Sequence, residues 1–516
     1  MKRFIIVVLS LGMWMGLWAP LESAAVEPKR GGTLTMGIRR DLEMMNPLVR
    51  TRSTEQSIRD LMFESLIGLD LKGNIQPNLA TSWEISQGGR VYTFHLRKGV
   101  KFHNGKEMTA KDAKYAMDYS MNPKNATYGF IKLSIVERIE IPDRHTLKVY
   151  LKRPSRSFLS SLSNIQAFSV IPEGSLQEGV SRPTEFPPGT GPFKFVEWKP
   201  RQRIIFDRFD DYWGHKAFVD RVILRPIRNN TVRFTALRAG DVDIIERTPH
   251  EWVKQVTNGK LKGIGYVQAP HAGYRQMVFN VAAPPFNSKE LRQAVTHAVD
   301  RKEILEAAYF GFGEPTDQLY PKGHAWYIDG LSSLSHDPNK ARALLKKAGY
   351  KGEIIEIMVQ KGEEAEPTTL QAQLKRVGMS INLRVLDAGA VHSLHRKGEF
   401  AFFFGGGSFK VDPWPTYGTE FICEPDLKKR SNNAAGYCDK EMDVLIKKAE
   451  AEPDLAKRRA LFKQIVAKVL EDVPELPLFF VPRFFTFRDN VKGFTSDSRG
   501  SFRWWGGGLS HTWLDK

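Results

Sequence analysis

The side chains best suited to chemistry in this 516-residue chain are dispersed, and none falls into a reaction motif. Twelve histidines raise the question of a metal. No HExxH occurs, and no two histidines sit four apart on a predicted helix, the spacing that puts two imidazoles on one helix face. His392 and His395, three apart, come nearest and read as an exposed helix face. Gly405-Gly406-Gly407-Ser408 has the wrong arrangement for a nucleophile elbow. A phosphate loop and a dinucleotide fingerprint are both absent. Acidic residues are numerous, yet sequence alone does not pair two of them as an acid and a base. The residues therefore support no enzyme activity and no cofactor.

Cys423 and Cys438 are the two cysteines, 15 positions apart. In an oxidising compartment such a pair forms a disulfide. Closing a loop of that size stabilises by about 3 kcal/mol in the chain-entropy account. The other reading is two buried thiols. A metal site is not supported, because no CxxC and no nearby His pair accompanies them.

The N-terminus indicates an oxidising address. Lys2 and Arg3 are followed by Phe4 to Pro20, apolar apart from Ser10, and then by Ser23 and Ala25 in a small-x-small pattern. This is the layout of a secretory signal peptide over residues 1–25. The apolar stretch is short for a bilayer span of about 20 residues. No cysteine lies there for lipid attachment, so the expected product is a free periplasmic protein and not a lipoprotein. Net charge is +18, and removing Lys2, Arg3 and Glu22 with the leader leaves +17. Lys and Arg are spread along the chain without a long basic run, which argues against nucleic acid and leaves an acidic ligand or an anionic membrane surface as partners for the charge.

Alternating and helical patterns place the framework. Thr33 to Met36, Val91 to Leu96, Leu147 to Leu151, Phe193 to Phe195, Ile204 to Phe206, Ile354 to Val359 and Ile381 to Val385 read as strands. Apolar spacing predicts a helix over Glu55 to Leu69. Thr109 caps a helix that runs to Met121, before Pro123. Residues 289–309 are helical with a break near Asp300. Asp337-Pro338 starts a helix that Gly349 ends, and two more cover 439–450 and 454–471. Gly189 and Gly191 are expected to supply unusual backbone angles. The fold class is α/β with mixed sheets.

Several segments, taken in order, carry a resemblance. They include Gly31-Gly32-Thr33-Leu34, Pro77-Asn78-Leu79-Ala80-Thr81-Ser82-Trp83-Glu84 and Tyr92-Thr93-Phe94-His95-Leu96-Arg97-Lys98-Gly99-Val100-Lys101-Phe102-His103-Asn104-Gly105. Gly189-Thr190-Gly191-Pro192-Phe193, Asp211-Tyr212-Trp213-Gly214, Ala239-Gly240-Asp241-Val242-Asp243 and Arg292-Gln293-Ala294 follow. Over nearly the whole mature chain the sequence resembles extracellular solute-binding proteins of the peptide and nickel class, family 5, which serve ABC importers. The resemblance implies a two-lobed periplasmic-binding-protein fold with a hinge and an extra domain. Lobe I would comprise 26–61, 182–272 and 485–516, the extra domain 62–181, and lobe II 273–484. It implies a monomer that holds a peptide or similarly sized small molecule and delivers it to permease subunits at the inner membrane. A receptor or chaperone-like protein on the same fold, and an envelope peptide hydrolase, are the competing classes.

The resemblance also suggests ligand contacts. Tyr128 matches a position that touches ligand in oligopeptide-binding relatives. Peptide-binding relatives carry a Trp-x-Ala-Asp-Tyr segment whose aspartate pairs with the ligand amine. Anchored on Asp412-Pro413, that aspartate aligns with Phe409 and the tryptophan with Gly406. No acidic residue falls between Glu399 and Asp412, so an ammonium held there would lack its counter-charge. Opines, oligosaccharides, modified peptides and metal chelates thus stand beside free peptides. Ser408, Phe409, Lys410 and Trp414 are the expected contacts from this stretch. Arg50 and Arg52, after the Asn46-Pro47 turn, are candidates for the cleft, with a solvated loop as the alternative.

Overall fold

The structure is a computed structural model that describes residues 27–70, 74–180, 182–331, 334–407, 412–424, 426, 432–452, 454–504 and 506–515. The expected leader over 1–25 lies outside them. The architecture is α/β with two lobes, and its continuous element is a nine-stranded mixed sheet.

In one lobe the strand Thr33–Ile38 lies between two parallel neighbours, Arg221–Pro226 and Ile244–Ile245. Leu34, Met36 and Ile38 are fully buried there with Val222, Leu224 and Ile244. Arg203–Arg208 and Phe193–Lys199 extend the sheet antiparallel. A separate four-stranded sheet runs Ala80–Ser86, Val91–Leu96, Thr146–Leu151, Val136–Asp143. Its inward Tyr92, Phe94, Leu147 and Val149 share a core with Ala113 and Met117 of the helix Ala110–Met121. That helix begins at a reciprocal cap, in which the Thr109 amide and hydroxyl both donate to Asp112 Oδ2, at 2.8 and 2.9 Å.

In the other lobe, helices Lys289–Ala298, Arg301–Tyr309, Pro338–Lys347 and Ala365–Arg376 cover the parallel pair Ile355–Gln360 and Ile381–Leu386. A further cluster lies under helices Lys440–Ala451 and Leu455–Asp472. Cys423 and Cys438 are disulfide-bonded, with Cα atoms 4.4 Å apart, and so fasten the chain ahead of helix Lys440–Ala451.

Two long strands, Ile264–Phe279 and Glu475–Arg488, connect the lobes. They pair antiparallel from Ile264↔Arg488 to Val278↔Glu475. At one end Ile244 lies against Phe487, and at the other Phe279 lies against Phe402. The register shifts between Ala269 and Gly273, where the ribbon passes from one lobe to the other. A shift of this kind bends and twists a strand pair locally, as a hinge requires.

Two expectations are corrected. The helix expected over Glu55 to Leu69 spans only Ser53–Arg59. The carbonyls of Leu61 and Met62 accept from the amides of Phe193 and Gly191, so the chain leaves the helix to join the sheet and reaches a strand at Ile67–Leu69. Gly189 and Gly191 do not adopt left-handed angles. A Cβ on Gly189 would lie 2.0 Å from the Met62 carbonyl oxygen, and one on Gly191 2.6 Å from that of Leu61. Close approach of two backbones, not backbone conformation, selects glycine here.

Candidate ligand cleft

Between the lobes lies a cavity of about 1140 Å³. A second, of about 1070 Å³, adjoins it and shares Tyr274, Arg275, Gly406 and Gly407 of the paired strands.

One wall of the first cavity is built on the turn after Asn46. The Asn46 side chain accepts from the Leu48 amide at 3.0 Å, and the Leu48 carbonyl accepts from the Tyr128 amide at 2.9 Å. This places Arg50 beside the start of the short helix Gly129–Leu133. The Arg50 guanidinium lies 5.8 Å and the Lys132 ammonium 5.2 Å from the Tyr128 ring centre. Both contacts are cation–π in kind. Burial, and then the Arg50 charge, hold the Lys132 ammonium below its usual range. Arg50, Tyr128 and Lys132 all line the cavity.

The facing wall is the strand Phe402–Gly407 with the helices Ala388–Lys397 and Trp414–Glu420. His392 is exposed, as a surface histidine would be, but His395 is not. Its ring stacks on Phe403 at 3.7 Å between centres, and burial followed by the His392 charge pushes its pKa down to about 4. It is a neutral wall residue. The Trp414 amide donates to Asp412 Oδ1 at 2.9 Å, and Asp412 in turn receives Arg458 at 2.6 and 2.9 Å. The aspartate that anchored the family alignment therefore fixes the start of the Trp414 helix. At the floor, Glu475 is buried, and burial together with Glu420 raises its carboxyl far above the usual range.

The three glycines ahead of Ser408 answer to the neighbouring strand. Gly405, Gly406 and Gly407 pair with Gln276, Arg275 and Tyr274. A Cβ on Gly406 would lie 2.5 Å from the Tyr274 carbonyl oxygen, and one on Gly407 2.4 Å from the Tyr274 hydroxyl. The smallness of Gly406 and Gly407 accommodates Tyr274, whereas a Cβ on Gly405 would meet Phe403 at 3.1 Å.

Of the residues expected in the site, Arg50 and Tyr128 share one wall and Trp414 stands on the other. Arg52 is exposed at the start of helix Ser53–Arg59 and lines neither cavity. Ser408, Phe409 and Lys410 lie outside the described residues. Lys132, His395, Arg39, Arg228, Arg247 and Arg483 line the cleft without having been anticipated. Only Lys132, four positions after Tyr128, carried a local signal.

A cleft between two lobes, joined by a paired-strand hinge and walled from both sides, defines a protein that encloses a small molecule. The chain belongs to the bacterial extracellular solute-binding proteins, family 5, whose model matches residues 74–425. Among its relatives is the dipeptide-binding protein of Escherichia coli K12, 27% identical over 95% of this chain and 96% of that one. Another is the heme-binding protein A of Haemophilus influenzae, 29% identical over 83% of each. The solved periplasmic binding protein AgaA of A. tumefaciens R10, in complex with agropinic acid, is 28% identical with a TM-score of 0.77, covering 94% of this chain and 99% of that chain.

Proposed function

We propose that this protein captures a peptide-sized solute in the periplasm and passes it, chemically unaltered, to the permease subunits of an ABC importer. It acts as a monomer after removal of residues 1–25. Lobe I comprises 26–61, 182–272 and 485–516, the extra domain 62–181, and lobe II 273–484. Tyr128, Arg50 and Trp414 are the wall contacts, and Ser408, Phe409 and Lys410 join them as ligand contacts on the strength of the family resemblance alone. One observation carries this reading: cavities of about 1140 and 1070 Å³ lie between lobes that a paired-strand ribbon joins. A closing hinge traps a guest in such a space. Family membership and relatives named for small ligands support it.

The test is a thermal-shift screen on the mature protein, followed by small-angle scattering with each stabilising solute. A transported ligand raises Tm and reduces the radius of gyration without being consumed. Turnover of the solute, or stabilisation with no change in shape, overturns the reading.

A further inference from the structure

The second cavity concentrates cationic charge that nearby carboxylates offset only in part. Arg39 and Arg228 are exposed on its wall, and Arg247 and Arg483 are half-buried. Among the described residues none of these four guanidinium groups has a carboxylate at ion-pair distance. Arg247 donates to the Ser53 hydroxyl at 2.6 Å, and Arg483 to the Arg499 carbonyl at 2.8 Å. Each guanidinium carries five N–H donors, so single neutral acceptors leave most of them unused. Arg275, where the two cavities meet, is the contrast: Glu366 receives it at 2.8 and 2.5 Å.

Three carboxylates lie nearby, of which Asp497, buried, attracts Arg483 but is itself held by Arg499 at 2.6 Å. Glu246 is buried and already accepts the Arg39 amide at 2.5 Å and the Thr54 hydroxyl at 3.0 Å. Glu251 lines the wall from an exposed position. They offset the cluster only in part: Glu246 favours the charged forms of Arg247 and Arg483, against four guanidinium groups. Burial and then the Arg247 charge push the Arg483 pKa down to about 9, and burial holds Arg247 below its usual range too. Two helices add to the field. Asn230 and Thr231 open the helix Asn230–Ala239, and His250 opens the helix His250–Thr257; all three line the chamber. Helix N-termini carry partial positive charge. Holding unpaired cations together in a partly desolvated space is unfavourable unless an anion joins them.

We propose that this chamber receives the acidic part of the transported solute, a group bearing two or more oxyanion charges such as a dicarboxylate or a phosphate ester. The inference rests on the solute-capture reading and names the chemistry of the guest. Guanidinium forks match carboxylate and phosphate oxygens in pairs, and four of them exceed what one carboxylate needs. The rest of the solute extends past Arg275 into the first cavity, between Tyr128 and Trp414.

The experiment measures Tm and calorimetric affinity of the mature protein with citrate, glucose 6-phosphate and glucose. It compares wild type with Arg39→Gln/Arg228→Gln, whose sites are exposed and make no side-chain ion pair, and with Arg247→Gln. The expected result is stabilisation by an oxyanion and not by glucose, with affinity at least about tenfold weaker in both variants. Response to citrate alone assigns carboxylates, and to the sugar phosphate alone a phosphate ester. No response to either oxyanion overturns the proposal. So does an equal response in the variants, which reports only attraction to a basic protein. Scattering with a library of neutral peptides runs in parallel. Closure with these and silence with oxyanions sinks the acidic-guest inference alone, whereas no closure with any solute sinks the capture reading as well.

Discussion

Ser155 donates its hydroxyl to Glu450 Oε1 at 2.5 Å, across the cleft that both line. Ser157 adds a second bond to the same oxygen at 2.9 Å, and Arg458 stands 3.8 Å from the other. Ser155 and Glu450 are both almost wholly buried. Phe158, next along from the serines, packs in the core under the four-stranded sheet, whereas Glu450 lies in the last turn of the helix Lys440–Ala451. The contact therefore clasps two sides of the cleft together in this arrangement.

Glu450→Ala is predicted to shift the lobes toward an open arrangement. Removing the acceptor leaves the two buried hydroxyls only each other, at 3.1 Å, and costs about 1–3 kcal/mol. Solute affinity falls as the closed fraction falls. Small-angle scattering at equal concentrations of a stabilising solute should give a larger radius of gyration for the variant than for wild type. An unchanged radius would show that the clasp contributes nothing to closure.

Tyr128→Ala and Trp414→Ala are each predicted to weaken solute binding by about tenfold, in line with aromatic anchors at a closed interface. Loss of Tyr128 also frees Arg50 and Lys132 from the ring between them. Arg52→Ala is the matched control, because Arg52 lines neither cavity. Titration calorimetry on a stabilising solute decides the matter. Equal losses at Arg52 and Tyr128 would remove the Tyr128 wall from the site.

Where a signal is local, the sequence disclosed the structure. Thr109 with Asp112 marked the start of the helix Ala110–Met121. Asp300 marked the break before Arg301–Tyr309, where it caps the new helix through Lys302 and Glu303. Where the cause is a distant partner, it did not. The strands Ile264–Phe279 and Glu475–Arg488 contain Gly265, Pro270, Gly273, Pro477 and Pro482, which locally read as breaks. Their order comes from pairing with each other across about 200 positions, as in Ile264↔Arg488. The same holds for the site. Tyr128 was legible through family resemblance and Arg50 through its place after the Asn46-Pro47 turn, but Arg39, Arg228, Arg247 and Arg483 meet only after the sheet has formed. Nothing in their flanking residues separates them from the other basic side chains of a strongly basic chain.

Asp412→Ala is predicted to destabilise the second lobe by about 3–5 kcal/mol. Removing one partner of a buried ion pair leaves the other charge uncompensated. Arg458 is 3% exposed on its side chain and would retain only its bond to the Ala449 carbonyl and the more distant Glu450. Urea unfolding followed by circular dichroism measures the loss. A loss under about 1 kcal/mol would mean that Arg458 finds a new partner or water.

Asp60 makes stability depend on pH. It is buried near Asp497, Arg499 and Arg503, and burial raises its carboxyl from 3.8 to about 7, partly opposed by Arg499. A raised carboxyl binds its proton more tightly in the folded chain than in the unfolded one. The resulting stability is complete below the unfolded value and is lost as pH rises through the folded value, so it declines between about pH 4 and 7. Asn in its place keeps the shape and never ionises. Asp60→Asn should therefore flatten the stability profile across that window and exceed wild type at pH 8, by about 1–4 kcal/mol. Denaturant midpoints at a series of pH values test this. Parallel profiles for the two proteins would mean that Asp60 is ionised throughout, its charge held by Arg499 and Arg503.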